Sequence, residues 1–248
     1  MRLTVIGCAG SFPGADSPAS CYLIEHDGFR LLLDLGNGAL GVLQRHIPLQ
    51  DIDAVVLSHL HADHCLDLCG LYVARRYDPE GPHDRIPVWG PRGTAARMAR
   101  AYDLPEEPGM TGQFDFRDLV AGAHAIGPLT VTAARVNHPV EAYGFRVAVD
   151  GHAIAYSGDT GESAALIDLA RDADVALIEA SCLESRPAPD VHLTARQAAE
   201  HAQAAGAGIL VLTHLVAWND PQATMAEARP AFEGEIMLAS SGLVIDVA

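Results

Sequence analysis

Short apolar runs recur along the whole chain, and stretches with apolar residues at helical spacing separate them. LTVIG (3–7), CYLIE (21–25), RLLLD (30–34), AVVLS (54–58), LTVTAARV (129–136), GFRVAV (144–149), AIAYS (153–157), VALIEA (175–180), GILVLT (208–213) and LVIDV (243–247) predict strands. They are rich in Val, Ile and Leu and bounded by Gly, Pro, Ser or Asp. Helices are predicted over 39–46, 66–77, 94–102, 162–172, 194–205 and 221–232. Thr194 suits an N-cap, and Pro221 suits the first turn after Asp220. PEGPHD (79–84) and PEEPGMTG (105–112) read as loops. Such alternation of strands and helices predicts one layered α/β domain over 1–248. Two runs echo each other: AVVLSHLH and ILVLTHL are both apolar strands that end in histidine, as two βα halves converging on one site would be.

Composition narrows this picture. With 49% apolar and 19% charged residues in 248, the chain is globular, and no apolar run reaches the roughly 18 residues of a membrane span. MRLTVIGCAG reads as a first strand and turn rather than a secretory signal. The five cysteines (8, 21, 65, 69 and 182) form no disulfide framework, and a cytoplasmic location is expected. Thirty-two acidic residues against 16 Lys and Arg give a formal charge of −16, which argues against a long RNA or DNA partner. A small anionic substrate is compatible if metal ions supply the local positive charge.

The candidate chemistry is concentrated in SHLHADHCLD (58–67). His59 and His61 follow a strand two residues apart, so a short turn can aim both imidazoles at one cation. Asp63 and His64 come next and point to a second position. Strand ends are where sites assemble in layered α/β proteins, and His138, Asp159 and His214 each end a predicted strand. The expected set is His59, His61 and His138 on one ion, Asp63, His64 and His214 on the other, with Asp159 bridging. Zinc is the first expectation for such donors, which also accept Mn2+ or Fe2+. His26, His46, His83 and His124 lie in polar contexts and are read as solvated.

This order of residues resembles the metallo-β-lactamase fold and, within it, the ribonuclease Z-like branch, from TVIGCAG through LLLDLGNG and LSHLHADH to SGDT and VLTHL. The resemblance implies a four-layer αββα sandwich with two metals at one edge. It makes Asp34 a carboxylate supporting the metal loop. IEAS (178–181) and VHLT (191–194) resemble two further ribonuclease Z motifs, which would make His192 the acid that protonates the leaving oxygen and Glu179 its orienting partner. Without the resemblance, Glu179 reads as a strand-end carboxylate and His192 as a neighbour of a helix cap.

The long tRNA-gripping arm of ribonuclease Z has no counterpart here. Only 20 residues, reading as a hairpin, separate His138 from Asp159, and SFPGADSPASCY replaces the expected basic loop. GCAGSFPGADSPAS, LQRH, HADHCLDLCGLYVARRY and YSGDTG resemble an actinobacterial subgroup regarded as atypical class II cyclic-nucleotide phosphodiesterases. That resemblance implies hydrolysis of cyclic AMP to 5′-AMP, Asp63 assisting as a base, and a homodimer. The alternatives are tRNA 3′ processing, a lactone or thioester hydrolase on the same centre, and a non-enzymatic nucleotide sensor. Ser17 and Ser20 are candidate hydroxyl donors to substrate. Cys65 and Cys69 are expected in the core, and Arg75 and Arg76 in surface ion pairs.

Overall fold

The computed structural model describes residues 1–188 and 190–247. The first sheet contains β1 (Arg2–Gly7), β2 (Cys21–His26), β3 (Phe29–Leu33), β4 (Ala54–Val56), β5 (Ile86–Gly90), β6 (Phe114–Asp118) and, from the C-terminal end, β14 (Val244–Asp246). Its strand order is β14-β1-β2-β3-β4-β5-β6. The second contains β7 (Gly122–Ile126), β8 (Leu129–Arg135), β9 (Tyr143–Val149), β10 (His152–Tyr156), β11 (Val175–Glu179), β12 (Ile209–Thr213) and β13 (Glu235–Leu238). Its order is β13-β12-β11-β10-β9-β8-β7. Each sheet is antiparallel on one side and parallel on the other: pairing turns parallel at β3–β4 in the first sheet and at β10–β11 in the second.

Period-two alternation explains how the sheets stack. Leu31 and Leu33 of β3 face the same core as Ile154, Tyr156 and Leu177 of the other sheet, while Leu32 faces away. The outer face of the first sheet is covered by α1 (Ala39–Leu43), α3 (Leu68–Arg76) and α4 (Thr94–Ala101), with Leu43, Leu68, Leu71 and Met98 buried. That of the second is covered by α5 (Ala164–Ala170), α6 (Ala195–Ala205) and α7 (Pro221–Ala228). There the contact is built of small residues, Ala153, Ala155 and Ala176 against Ala198, Ala199 and Ala202, so helix and sheet backbones approach closely. The four layers are those the sequence predicted. Thr194 caps α6 in a full capping box with Gln197, and Asp220 caps α7 ahead of Pro221.

Several elements differ from expectation. Strands β5, β6, β7 and β13 were not predicted. A four-residue helix α2 (Ala62–Cys65) precedes α3, so Asp63 and His64 stand on a helical turn of their own. The helix expected over 221–232 ends as a 3-10 turn at Arg229–Ala231, where Pro230 removes a donor. Arg75 is not a surface ion-pair residue: it is buried on α3 and donates to the Asp84 carbonyl. Neither Arg75 nor Arg76 makes an ion pair among the described residues. Cys65 is buried and Cys69 half-buried against the same apolar cluster. Between His138 and Asp159 the chain forms the β9–β10 hairpin, turned by Asp150 and Gly151, both at positive φ.

Candidate metal centre

The end of β3 supplies Asp34. The loop after β4 supplies His59 and His61, and α2 supplies Asp63 and His64. His138 follows β8, Asp159 follows β10, Glu179 closes β11 and His214 follows β12. The two echoing strands, β4 and β12, thus belong to facing sheets and both end at this cluster. Tight backbone approach makes it possible. A Cβ on Gly36 would lie 2.0 Å from the Asp63 carbonyl oxygen, and one on Gly10 would lie 2.4 Å from that of His214. An isolated bridge between Ala9 and Leu215 joins the two sheets at this edge.

Two quartets form, each with one ligand atom per residue within 4.8 Å of the others: His59, His61, His138 and Asp159, and Asp63, His64, Asp159 and His214. Asp159 belongs to both. Ring tautomers are set from behind. Asp34 is fully buried and accepts from the Ser58 amide (2.6 Å), the Ser58 hydroxyl (2.8 Å), the Tyr156 hydroxyl (2.7 Å) and His64 Nδ1 (2.7 Å). Because the Ser58 proton goes to Asp34, its oxygen can accept from His59 Nδ1, 3.1 Å away. His138 Nδ1 donates to the Val191 carbonyl at 3.1 Å, and His214 Nδ1 lies 3.1 Å from Ser20 Oγ. Each of these four histidines therefore turns Nε2 toward the cluster, the arrangement by which a backing hydrogen bond orients a metal ligand.

The inward atoms converge closely: His61 Nδ1 is 3.0 Å from His59 Nε2 and 3.3 Å from His138 Nε2. His64 Nε2 is 3.1 Å from Asp159 Oδ1, and His214 Nε2 is 3.3 Å from Asp159 Oδ2. Yet His64 Nε2, His214 Nε2 and Asp159 Oδ1 are buried with no hydrogen-bond partner among the described residues. Buried polar atoms left so are rare, and convergent His and Asp donors of this kind fit divalent cations.

Electrostatics agree. Burial opposes charge on His64, but the carboxylates of Asp159 and Asp34 raise its pKa well above the ordinary value. Burial and neighbouring His64 hold His59 well below it. Burial also opposes charge on Asp159 and Asp63. The surrounding histidines nevertheless keep both below the usual carboxylate range.

Glu179, fully buried, accepts from the Thr160 amide (2.7 Å), the Ser181 hydroxyl (2.9 Å) and His192 Nδ1 (3.0 Å). Burial disfavours the charged ring, yet the bond to Glu179 and its charge push His192 up to about 9. The His192 ring lies 5.5 Å from that of His214 and 5.6 Å from that of His138, so it stands between one histidine of each quartet.

The serines lie differently from their expected role as substrate donors. Ser20 is fully buried behind His214. The Ser17 hydroxyl accepts from the Cys8 amide and donates to the Pro18 carbonyl, which commits it to its own loop. Ser58, Tyr156, Thr160 and Ser181 went unnoticed in the sequence. Each lies beside or within a motif of the sequence: Ser58 precedes His59, Tyr156 and Thr160 lie in YSGDTG, and Ser181 closes IEAS.

The family model of the β-lactamase superfamily domain matches residues 30–215. The uncharacterized protein ML1173 of Mycobacterium leprae is 42% identical over 254 residues, covering 100% of this chain and 89% of its own length. The probable metallo-hydrolase YhfI of Bacillus subtilis is 32% identical, covering 98% of this chain and 99% of its own. The YhfI crystal structure superposes with a TM-score of 0.89 at 29% identity over 99% of both chains. Ribonuclease Z of Haloarcula marismortui is 28% identical, covering 98% of this chain and 96% of its own. The chain belongs to the β-lactamase superfamily and is a metallo-hydrolase of its ribonuclease Z-like branch.

Proposed function

We propose that the protein is a phosphodiesterase with two divalent cations, zinc foremost, that hydrolyses a small phosphodiester, with 3′,5′-cyclic AMP as the leading substrate and 5′-AMP as product. The observation that carries this reading is His192, hydrogen-bonded to Glu179 and standing between one histidine of each quartet. Hydrolysis of a cyclic nucleotide expels a strongly basic ribose oxygen, and a poised acid lowers that barrier directly. His59, His61 and His138 would hold one cation and Asp63, His64 and His214 the other, with Asp159 between. When bound, the pair supplies charge to neutralise phosphoryl oxygens and acidifies water.

The rest belongs to the protein. His192 Nε2 gives its proton to the departing 3′ oxygen, while Glu179 keeps Nδ1 protonated and the ring in place. Asp63, ionised at neutral pH, accepts a proton from the attacking water. Asp34 fixes the His64 ring and, through Ser58, that of His59. The compact β9–β10 hairpin and the −16 charge favour a small substrate over a folded RNA. The reading includes a homodimer, as the family resemblance implies, and a cytoplasmic location, as the scattered cysteines suggest. No helix among the described residues is long and apolar enough to cross a membrane.

The test combines metal analysis with turnover of cyclic AMP, cyclic GMP, bis-p-nitrophenyl phosphate, a lactone and a tRNA precursor. Two metal ions per chain and turnover of cyclic AMP are expected. His192→Ala should cut that turnover about 10²–10⁴-fold with metal content unchanged. Fewer than two ions under every loading, preferential turnover of the lactone or tRNA precursor, or full cyclic AMP activity in His192→Ala would overturn the reading.

A further inference from the structure

Two of the most exposed aromatic side chains stand together on the loops that flank Gly10 and His214. Trp218 is 68% exposed and Phe12 39%, and their ring centroids are 5.1 Å apart at an interplanar angle of 42°. Phe12 lies two residues beyond Gly10, whose backbone presses on the His214 carbonyl. Trp218 lies four residues beyond His214 itself. At no more than about 3.6 Å per residue, this keeps its Cα within roughly 14 Å of the ligand's.

The loop that bears Trp218 is tied to the proton-donor network. Asn219 Nδ2 donates to the Ser181 carbonyl at 2.8 Å, and the Ser181 hydroxyl, which donates to Glu179 Oε2 at 2.9 Å, also lies 3.1 Å from the His214 carbonyl. On the other side, a Cβ on Gly14 would stand 3.6 Å from the Ala217 Cβ, so the two loops pack together. Folding leaves Trp218 mostly in solvent and covers Phe12 only in part. In a chain with two tryptophans, one is held mostly in solvent on an anchored loop, one short segment from a ligand residue.

We propose that Phe12 and Trp218 form a stacking platform for the base of a nucleotide whose phosphate sits at the His/Asp centre. The proposal rests on the phosphodiesterase reading and specifies its substrate class: phosphodiesters that carry a nucleobase. Base–aromatic stacking tolerates sequence because every base has a π-face, so the platform accepts adenine and guanine alike and adds affinity without contributing to bond cleavage. Recognition is divided, with the metal centre taking the phosphate and the rim taking the base.

The test uses the metal-loaded full chain with cyclic AMP, cyclic GMP and a base-free 3′,5′-cyclic ribose phosphate. Trp218→Ala should raise KM for both cyclic nucleotides on the order of 10- to 100-fold, with kcat nearly constant and the base-free compound unaffected. Trp218→Phe should restore most of the affinity, and Trp218→Leu, apolar but without a π-face, should not. A second measurement is independent of turnover. In a Trp89→Phe background, 5′-AMP should quench Trp218 fluorescence and ribose 5-phosphate should not. Unchanged KM together with equal response to both ligands would overturn the platform. Quenching specific to 5′-AMP in a protein that turns over no cyclic nucleotide would sustain the platform and overturn the phosphodiesterase reading.

Discussion

The two quartets share Asp159 but differ in setting. In Asp63, His64, Asp159 and His214 every member is buried, and Asp34, Ser58, Tyr156 and Ser20 hold the rings from behind. In the other, His61 is exposed and His138 half-buried, with His59 and Asp159 inside. The buried quartet is thus built in between the sheets, whereas the other opens to solvent at His61. This difference predicts that stability and ligand binding are coupled in the first and separable in the second.

The largest expected contrast is between His64→Ala and His61→Ala. Removing His64 leaves Asp34 and Asp159 buried without their cationic neighbour, at a cost of about 3–5 kcal/mol. Metal-free His64→Ala should therefore melt well below the wild-type apoprotein by calorimetry. His61→Ala, at an exposed position, should lose metal with its apo melting temperature nearly unchanged. Equal melting temperatures for the two variants would erase the distinction.

A smaller effect is expected from Asp34→Asn, which keeps the shape but weakens the hold on His64. Metal affinity of the buried quartet should fall about 10- to 100-fold in chelator competition, with the outer ion less affected. Loss of both ions in equal measure would mean that the quartets act as one unit.

The smallest effect is a pH dependence. His192 has its folded pKa raised from 6.5 to about 9, so its charge contributes stability that is fully present below about 6.5 and lost as pH rises through about 9. In the proposed mechanism the same protonated form is the acid, so kcat for cyclic AMP is expected to fall through that upper range. In Glu179→Gln, pH–rate profiles should show this fall at lower pH. An identical profile in the variant would remove Glu179 from the role.

Which parts were legible in the sequence follows from where each strand lies. β6 ends the first sheet, and β7 and β13 end the second. FDFRD and GAHAI carry the charges, small residues and exposed positions of edge strands, so they lack the apolar run that marks the centre, and the apolar part of EIML is only three residues long. β5 is IPVWG, and a Pro inside so short a run is a weak strand signal. Arg75 was misread because its burial depends on the loop that carries Asp84, and helical spacing gives no account of that loop.

The sequence by itself determined the layered α/β architecture and the residues of the candidate centre. Both are local properties: period-two runs mark central strands, and His or Asp just past such a run marks a strand end. Tertiary structure decided what each residue does there. The second hydroxyl on Asp34, beside that of Ser58, comes from Tyr156, the partner of His214 is Ser20, and the ring beside Trp218 is Phe12. These pairs are separated by more than a hundred residues of chain. Hydrogen-bond direction and ring contact form only when the two sheets close on each other, and no local pattern along the chain carries that information.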